Sequence, residues 1–456
     1  MPPDLQAVLS LPRAASADDS GSTAGRVYRV LVGSAIVAGL AAIGYYLLNG
    51  ALFLPIRRAI DAGFVAAWIL KPGMILVRLG FLLLVLRTLL WFVYRPFAAA
   101  TREAAPTMTV VIPAYNEGSM VEQSIESVAA ARYPIGRLEI LVVDDGSTDD
   151  TWTYIQRAAA RHPGLVTAVR LARNQGKRVA LASGFRAARG SILVTIDSDS
   201  VIEAGALLAM AGPFKDPRVG AVAGKVTVLN RDQGIIPRML HVAFVLSFDF
   251  QRSVQSIYRT VYCCPGALAA YRASVVHEVL EPWLAQRFLG VGCTYGEDRA
   301  LTNSILERGF DTVYQGSAIV HTLVPVTYAQ LCKMYLRWDR SYVREEIRFA
   351  RIVWKRPLVP MLIAAFDKLI TNLRFPVAWS VALMVALIAV ADPMALLRIL
   401  LVIGIGAGFY MLYYAYMERS MRFVHGIIYS YFSFFALWWI FPYAILTVRS
   451  RSWMTR

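Results

Sequence analysis

A run of 19 uncharged residues, VLVGSAIVAGLAAIGYYLL at 30–48, constrains what this chain can fold into more than any other feature of it. An apolar helix of this length crosses a hydrocarbon core of about 30 Å. A cleaved signal peptide would have a shorter apolar run followed by a small-residue cleavage site, so a retained membrane span is predicted.

Residues 1–25, rich in Ala, Ser, Asp and Pro, carry too little apolar surface to offset the entropy of ordering, and we predict a disordered leader there.

Residues 73–94 form a second apolar run, which Arg78 and Arg87 interrupt. A long arginine side chain can carry its charge to the membrane surface, which suits Arg78. A charge further along the run is tolerated next to protein and not next to lipid. We therefore predict two transmembrane helices within 26–95 and expect Arg87 to face protein.

The membrane pattern returns in the C-terminal region, residues 369–456. Apolar runs predict spans at 375–391, 399–417 and 424–448. A shorter run at 358–366 either lies at the membrane surface or extends through Asp367 and Lys368 into a tilted span. The choice between five and six spans stays open, because three C-terminal spans would leave the last arginines outside, against the positive-inside tendency.

Composition narrows the class of protein. The chain is 57% hydrophobic, yet it carries 47 Lys and Arg against 31 Asp and Glu, a net charge of +16. In so apolar a chain, cationic loops on the cytoplasmic side of a membrane explain this charge better than nucleic acid, and we expect no nucleic-acid partner. The four cysteines have neither the spacing of zinc ligands nor the density of a disulfide scaffold, which predicts reduced, structural thiols. The five histidines also lack the spacing of metal ligands.

A different pattern occupies residues 106–325. The segments TMTVVIPAYNE, LEILVVDDGS and ILVTIDSDS are short β-branched runs that end in polar residues, with helical patterns such as SMVEQSIESVAAARY between them. This alternation predicts an α/β domain with a parallel sheet. Ligands of such sheets bind beyond the carboxyl ends of the strands, where all three polar clusters fall.

The run ILVTIDSDSV at 192–201 leads from a buried strand directly into Asp197 and Asp199. Alternate residues of an extended strand point the same way, so the two carboxylates can share one face. Two carboxylates at the tip of a buried strand are plausible where a divalent cation takes up their charge, and oxygen ligands beside a diphosphate suit Mg²⁺ or Mn²⁺. Taken alone, this motif is a weak signal, and a solvated loop is its more common explanation.

The motif does not stand alone, because a series of further motifs follows in a fixed order: VVIPAYNE (110–117), VVDDGSTDDT (142–151), NQGKRVAL (174–181), IDSD (196–199), GEDRALTN (296–303) and LRWDRSYVRE (336–345). Together they resemble the family 2 inverting glycosyltransferases of GT-A fold. The likeness is greatest to the membrane-embedded polymerising branch of hyaluronan synthases and chitin-oligosaccharide synthases, and more distant to cellulose synthases. It extends over nearly the whole chain beyond the leader, including YRPF, YCCPGALAAYR, FLGVGCTYGEDR and the terminal WMTR. The resemblance implies an α/β GT-A domain in the cytosol, inserted between transmembrane helices.

The resemblance also implies residues that bind the donor, a UDP-sugar. Tyr115, Glu117 and Asp145 would hold the uridine part, with Lys177 near the donor. The guanidinium of Arg337 can pair with phosphate oxygens in a bidentate manner.

Catalytic and acceptor residues follow from the same resemblance. Asp199, together with Asp197, would position the metal, Mg²⁺ or Mn²⁺, that neutralises charge on the departing UDP. Asp298 in GEDR is the candidate general base, although a carboxylate beside Arg299 is also a common structural ion pair. Acceptor-binding roles are implied for Trp338, Cys264, Glu297 and Arg299. For Cys264 the alternative is simple buried packing.

Residues 326–368 join an Arg-Trp motif to amphipathic helices. Arg337 and Trp338 match the end of the polymerase motif Q-x-x-R-W, and an indole offers an apolar face on which a sugar can stack. This chain departs from the motif at Met334, which cannot supply the amide hydrogen bonds of Gln. The run at 340–356 mixes charged and aromatic residues and predicts a helix at the cytoplasmic membrane surface.

These observations predict a processive inverting β-glycosyltransferase in the cell membrane, multi-pass, with its catalytic domain in the cytoplasm. It would polymerise UDP-GlcNAc, with or without alternating UDP-GlcA, onto a growing polysaccharide and move the product across the lipid bilayer. A synthase of chitin oligosaccharides and an enzyme that transfers one sugar to a lipid carrier are the alternatives. A channel or transporter with a degenerate, non-catalytic cytoplasmic domain is a further alternative that UDP release would exclude.

Overall fold

The structure is a computed structural model that describes residues 23–50, 64–391 and 394–450. Most of the predicted leader at 1–25, and the terminal WMTR, lie outside these residues. The chain divides into two compact units. Of the described residues, the helical unit contains those up to Phe92 together with those of Leu362–Ala436, and the α/β unit contains Val93–Met361 and those from Leu437 onward.

The helices of the described chain are α1 Thr23–Leu48, α2 Phe64–Val93, α3 Met120–Ala129, α4 Thr151–Arg161, α5 Lys177–Ala187, α6 Ala206–Ala211, α7 Ile235–Phe244, α8 Gln251–Ile257, α9 Ala273–Leu284, α10 Glu297–Glu307, α11 Tyr328–Ile352, α12 Leu358–Ala391, α13 Met394–Glu418, α14 Phe423–Phe432 and α15 Ile440–Leu446. The strands are β1 Met108–Ala114, β2 Leu138–Asp144, β3 Val166–Arg170, β4 Ile192–Thr195, β5 Ser200–Ile202, β6 Val219–Val228, β7 Ala269–Arg272, β8 Arg287–Phe288, β9 Val291–Gly292 and β10 Asp311–Thr322.

Within the described residues, three helices are long and apolar enough to cross a membrane: Thr23–Leu48, Gly73–Val93 and Leu400–Glu418. The pair Phe423–Leu437 and Ile440–Leu446 makes a fourth if it is counted as one broken span. The two predicted N-terminal spans correspond to the first two of these helices. The runs predicted separately at 358–366 and 375–391 belong to one 34-residue helix, α12, so the first is not a separate surface helix.

Polar contacts inside the helical unit join α2 to α12. The Nε atom of Arg87 donates to Asp367 Oδ1 at 2.8 Å, and its Nη2 donates to Thr371 Oγ1 at 2.9 Å. Asp367 is buried. The prediction that Arg87 faces protein is therefore confirmed, and the charge that interrupts the apolar run is neutralised by its partner.

The start of α1 lies against the end of α13. Tyr28 donates its hydroxyl to Ala415 O at 3.2 Å, and Arg419 donates to Gly25 O at 3.3 Å. Small residues allow the close approach: a Cβ atom at Gly39 would come within 3.0 Å of the Phe409 ring. The positively charged beginning of α1 and the end of α13 thus occupy the same end of the helical unit.

The α/β unit is built on an eight-stranded sheet of order β3-β2-β1-β4-β7-β6-β10-β5. Strand β1 is fully buried and pairs in parallel with both β2 and β4. The expectation of a parallel sheet is right for β3, β2, β1 and β4 and for the pair of β6 and β10, and wrong for β7 and β5. Strand β7 runs antiparallel to both β4 and β6, and β5 runs antiparallel to β10, so the sheet is mixed.

The parallel half of the sheet gathers the functional loops. Because β2, β1 and β4 are parallel neighbours, the polar residues that follow each strand emerge at one edge. Helix α5 packs on β1 and β2, and it begins at Lys177 at the same edge. A core of fully buried side chains, including Phe185, Tyr271 and Trp283, fixes the helices on the sheet.

Candidate active site

The loops after β1 and β2 are bonded to each other. The backbone N–H of Asn116 donates to Ser147 Oγ at 3.0 Å, and the N–H groups of Glu117 and Gly118 donate to Thr151 Oγ1 at 2.9 and 2.8 Å. Tyr115, at the start of the first loop, keeps part of its side chain exposed. Two predicted donor-binding residues, Tyr115 and Glu117, therefore lie on a loop whose backbone is held by its neighbour.

Asp145 supports the turn that leads into α5. Its two carboxylate oxygens accept the backbone N–H groups of Gln175 and Gly176, each at 2.8 Å. Burial raises the pKa of Asp145 and the adjacent Asp144 raises it further, while the two hydrogen bonds oppose the shift. In this structure Asp145 is a buried acceptor that fixes the residues immediately before Lys177.

Lys177 joins two of the predicted site carboxylates. Its Nζ atom lies 2.5 Å from Asp197 Oδ1 and 3.0 Å from Glu297 Oε1. Burial alone would lower the pKa of Lys177, but the two carboxylates outweigh it and hold that pKa above its usual value. Gly266 closes over the pair, since a Cβ atom there would lie 2.8 Å from Lys177 Nζ. Glu297, predicted to bind the acceptor, is instead a buried partner of Lys177.

Asp199 has different surroundings from Asp197. It is buried, and its Oδ1 accepts the hydroxyls of Ser200 at 3.1 Å and Thr322 at 3.2 Å. Strand β4 ends at Thr195, and the chain turns, with Ser200 N bonded to Asp197 O at 3.0 Å. The expectation that both carboxylates share one face of an extended strand is therefore wrong, because the strand ends before them.

Asp197 and Asp199 are the carboxylates at this site that could bind a divalent cation. Among the residues that the structure describes, no three His, Cys, Asp or Glu side chains form a cluster suited to a metal ion. Asp197 and Asp199 supply carboxylate oxygens from one turn, at 30% and 6% exposure. Mg²⁺ is commonly held by one or two carboxylates, with substrate phosphates and water completing the shell. The donor set therefore fits a hard cation that binds together with a diphosphate.

Asp298 lies at the start of α10. Its Oδ1 accepts the N–H of Arg299 at 2.7 Å, and its Oδ2 accepts the thiol of Cys263 at 3.5 Å. Burial raises the pKa of Asp298, and the neighbouring Glu297 raises it further. A raised pKa suits a group that accepts a proton near neutral pH.

A glycine sets the turn before this carboxylate. Gly296 has φ +73°, and a Cβ atom there would collide with the side chain of Ser341 and lie 3.0 Å from Arg344 Nη2. Any other residue would be strained in this conformation and would push against α11. The GEDR sequence therefore combines a required glycine with the two acidic residues that follow it.

Two of the predicted acceptor residues face protein. The Cys264 side chain is completely buried, so it lacks the exposed surface that an acceptor contact needs, and the packing alternative fits its position. The Arg299 guanidinium lies 5.1 Å from the Tyr342 ring centroid, and its Nη1 is 3.7 Å from Glu346 Oε1. Arg299 therefore joins α10 to α11, and its guanidinium is directed at Glu346 and Tyr342.

The Arg-Trp motif lies on α11. Trp338 is 40% exposed, and its ring packs against Phe244, Phe248 and Tyr335 with centroid distances of 6.1, 6.4 and 5.7 Å. Burial lowers the pKa of Arg337, and the charges of Glu297 and Asp197 oppose this shift. The two carboxylates that pair with Lys177 therefore also act on the charge of Arg337. Met334, at the position of the motif glutamine, is buried.

Sequence reasoning gave no separate role to two residues around this site. Cys263, the neighbour of the candidate Cys264, is the one that reaches Asp298. Asp339 follows Trp338 directly, and burial raises its pKa to about 7 although Arg299 lowers it. The acidic residue in RWDR was a signal for the second, and the first lies in the YCCPGALAAYR segment on which the family resemblance rests.

Comparison with known proteins identifies the family. The model of the family described as glycosyl transferase family 2 matches residues 109–280. The chain is 30% identical over 356 residues to an N-acetylglucosaminyltransferase of Azorhizobium caulinodans, and the alignment covers 77% of this chain and 87% of the relative. It is 32% identical over 305 residues to a hyaluronan synthase of Streptococcus pyogenes, and that alignment covers 63% of this chain and 72% of the synthase.

A solved structure supports the fold. The mannosyltransferase of Pyrobaculum calidifontis, in complex with GDP-Man and Mn²⁺, superposes with a TM-score of 0.56 at 22% identity, covering 79% of this chain and 97% of the other. The α/β unit therefore has a GT-A-like core. The chain belongs to glycosyltransferase family 2, and it is a glycosyltransferase, as the order of its motifs predicts.

Proposed function

We propose that this enzyme is a processive inverting β-glycosyltransferase that adds GlcNAc from UDP-GlcNAc to a growing polysaccharide and passes the product across the membrane. The observation that carries the proposal is the position of α11. This helix presents a partly exposed Trp338, while Arg337 on the same turn shares the electrostatic environment of Asp197 and Glu297. Under this proposal, the donor site and the surface for a sugar chain are adjacent. The names of the two relatives support GlcNAc as a donor sugar.

Donor binding is assigned to the edge where β1 and β2 end. Tyr115, Glu117 and Asp145 would hold the uridine, since the loops that carry them are bonded to each other and to the turn before α5. Lys177 and Arg337 bring positive charge to the diphosphate.

Asp197 and Asp199 are the residues that would hold Mg²⁺ or Mn²⁺. When bound, the cation would offset negative charge on the diphosphate leaving group. The Mn²⁺ in the mannosyltransferase complex supports this assignment. Asp199 is held by the hydroxyls of Ser200 and Thr322, so its carboxylate has a fixed orientation before any donor arrives.

Asp298 is assigned as the general base. The acceptor hydroxyl oxygen attacks the anomeric carbon, the bond from that carbon to the diphosphate oxygen breaks, and the hydroxyl proton passes to Asp298. Attack from the side opposite the leaving group inverts the anomeric configuration and gives a β-linkage from an α-linked donor. Burial of Asp298 keeps its pKa raised, which favours acceptance of that proton.

A cytoplasmic α/β unit at the cell membrane is also proposed. Tyr28 and Ala415 hold the start of α1 beside the end of α13, so Arg26, Arg29, Arg419 and Arg422 all lie at one end of the helical unit. Positive residues favour the cytoplasmic side. UDP-sugars are cytosolic, which agrees with this orientation.

The proposal is tested with purified full-length enzyme and labelled UDP-GlcNAc, with and without UDP-GlcA. We expect UDP release together with a labelled product longer than a single sugar, and no product from Asp298→Asn prepared in parallel. Product from UDP-GlcNAc alone indicates a chitin-oligosaccharide synthase, and product that requires both donors indicates a hyaluronan synthase. Label that appears only as one sugar on an extracted lipid would overturn processivity.

A further inference from the structure

A π-helical turn, Val245–Phe250, lies between α7 and α8. Such turns are rare, and within α-helices they often occur at functional sites because they shift side chains out of the regular helical pattern. One side of this turn is fixed to the sheet: Asp249 is 2.9 Å from Lys225 Nζ, and its Oδ1 accepts the Tyr314 hydroxyl at 3.1 Å. The position of the neighbouring residue, Phe248, is therefore set by contacts to two strands.

Phe248 lies next to a buried cation. The guanidinium carbon of Arg252 is 4.0 Å from the Phe248 ring centroid, and Arg252 is only 8% exposed. A desolvated cation over an aromatic ring fixes the ring more strongly than an exposed one does. Arg252 also donates from Nε to Cys263 O at 3.1 Å, and the Cys263 thiol donates to Asp298. Two residues, Arg252 and Cys263, thus link Phe248 to the candidate base.

Phe248 and Trp338 form an aromatic corner. Their ring centroids are 6.4 Å apart and their planes are inclined by 69°. Trp338 is 40% exposed, and Phe248 keeps part of its surface exposed. A pyranose has apolar C–H faces that pack on aromatic rings, and two steeply inclined rings can contact both a face and an edge of one sugar.

We propose that Phe248, together with Trp338, forms a two-sided subsite for the terminal sugar of a β-linked GlcNAc acceptor. This inference rests on the proposed function and extends it to a residue outside the Arg-Trp motif. Phe248 would set the position of the acceptor hydroxyl toward Asp298, whereas donor binding would not depend on it.

The test is the binding of chitotetraose to the full-length enzyme by calorimetry, with UDP-GlcNAc turnover measured separately. Phe248→Leu keeps an apolar side chain but loses the aromatic face, and we expect the Kd for chitotetraose to rise roughly 3- to 10-fold. The KM for UDP-GlcNAc and the thermal unfolding midpoint should stay unchanged. Phe248→Tyr keeps the ring and should bind within twofold of the parent enzyme.

A matched control is Tyr154→Leu, which removes a partly exposed aromatic residue with Arg157 over its ring on α4. That variant should bind chitotetraose normally. The subsite would be overturned by an unchanged Kd for chitotetraose in Phe248→Leu, or by the absence of chitotetraose binding to the parent enzyme. It would also be overturned if Phe248→Leu raised the KM for UDP-GlcNAc and lowered the thermal unfolding midpoint as much as it weakened chitotetraose binding. Chitotetraose binding that depends on Phe248 without any elongation by the parent enzyme would instead overturn the proposed polymerase function alone.

Discussion

Lys177 is an ion-pair partner of Asp197, with 2.5 Å between Nζ and Oδ1. If Asp197 also binds a divalent cation, the lysine and the metal share one carboxylate. The ammonium group would then act both as a counter-ion of Asp197 and as a contact of the bound diphosphate. Its removal should change donor binding and cation binding in opposite directions.

Lys177→Gln should raise the KM for UDP-GlcNAc by roughly 10- to 100-fold, because a hydrogen bond to a charged group contributes about 1.5–3 kcal/mol. The same change leaves the Asp197 and Glu297 carboxylates without their shared cation. The Mg²⁺ concentration for half-maximal activity should therefore fall. Lys215→Gln, on an exposed lysine, is the control and should change neither quantity. A higher Mg²⁺ requirement in Lys177→Gln would contradict the shared-carboxylate model.

Asp199→Asn should abolish transfer while the protein remains folded. An asparagine retains an oxygen that can accept the hydroxyls of Ser200 and Thr322, but it loses the charge that a cation needs. Turnover should be compared with Asp232→Asn, which changes an exposed acid, and with the parent enzyme in excess chelator. Full activity of Asp199→Asn, or normal turnover of the parent enzyme in chelator, would remove the metal assignment.

Asp298→Asn keeps the shape of the side chain and removes its ability to take a proton. Turnover should fall by roughly 10² to 10⁴, the range for loss of a general base. UDP binding, measured by calorimetry, should persist. Loss of UDP binding in proportion to activity would make Asp298 a structural residue.

The raised pKa of Asp298 has a consequence for the pH profile. The base must be deprotonated, so the acid limb of kcat/KM should lie above the pKa of an ordinary aspartate. Glu297→Gln removes a negative neighbour and frees Lys177 to stabilise the Asp298 carboxylate. Both effects lower the pKa of Asp298, and the acid limb should move to lower pH. Glu278→Gln, at an exposed position of α9, should leave the limb in place.

Trp338→Ala should shorten the product or stop elongation while donor hydrolysis continues. Stacking of a sugar on the indole ring contributes on the order of 1 kcal/mol of binding free energy. The growing chain needs this contribution to stay bound between successive additions. The measurement is product size by gel filtration beside UDP release. Polymer of normal length made at the normal rate would show that Trp338 is not an acceptor platform, and single-sugar transfer would become the better explanation.

Features that depend on short stretches of sequence were predicted correctly. The strands that end at Ala114, Asp144 and Thr195 were expected from their β-branched runs, and the protein-facing side of Arg87 followed from the cost of a charge in lipid. The antiparallel strand β7 was not foreseen, because its four residues carry no pattern that gives strand direction. The contact of Lys177 with Glu297 was also missed, since the two residues are far apart in sequence and only the fold brings them together.

For the site residues too, the sequence indicated which residues matter but not which partners they contact. A short motif places Asp197 and Asp199 in one turn, yet their separate partners depend on α5 and β10. Cys264 matched a family segment, and only the packing of the core shows that Cys263 has the contact with Asp298. Residue type and order indicate the chemistry, whereas the direction of each side chain depends on the tertiary structure.

The ion pair of Arg87 with Asp367 also bears on how the chain is made. The two residues are 280 positions apart, so at about 5–20 residues per second a ribosome needs roughly 14 to 56 s after Arg87 to synthesise its partner. During that time α2 carries a charge whose insertion into lipid costs about 2.5–3.5 kcal/mol on the insertion scale. Helix α2 therefore carries this cost until α12 has been made. The ion pair that offsets this cost can form only after the whole catalytic domain has been translated.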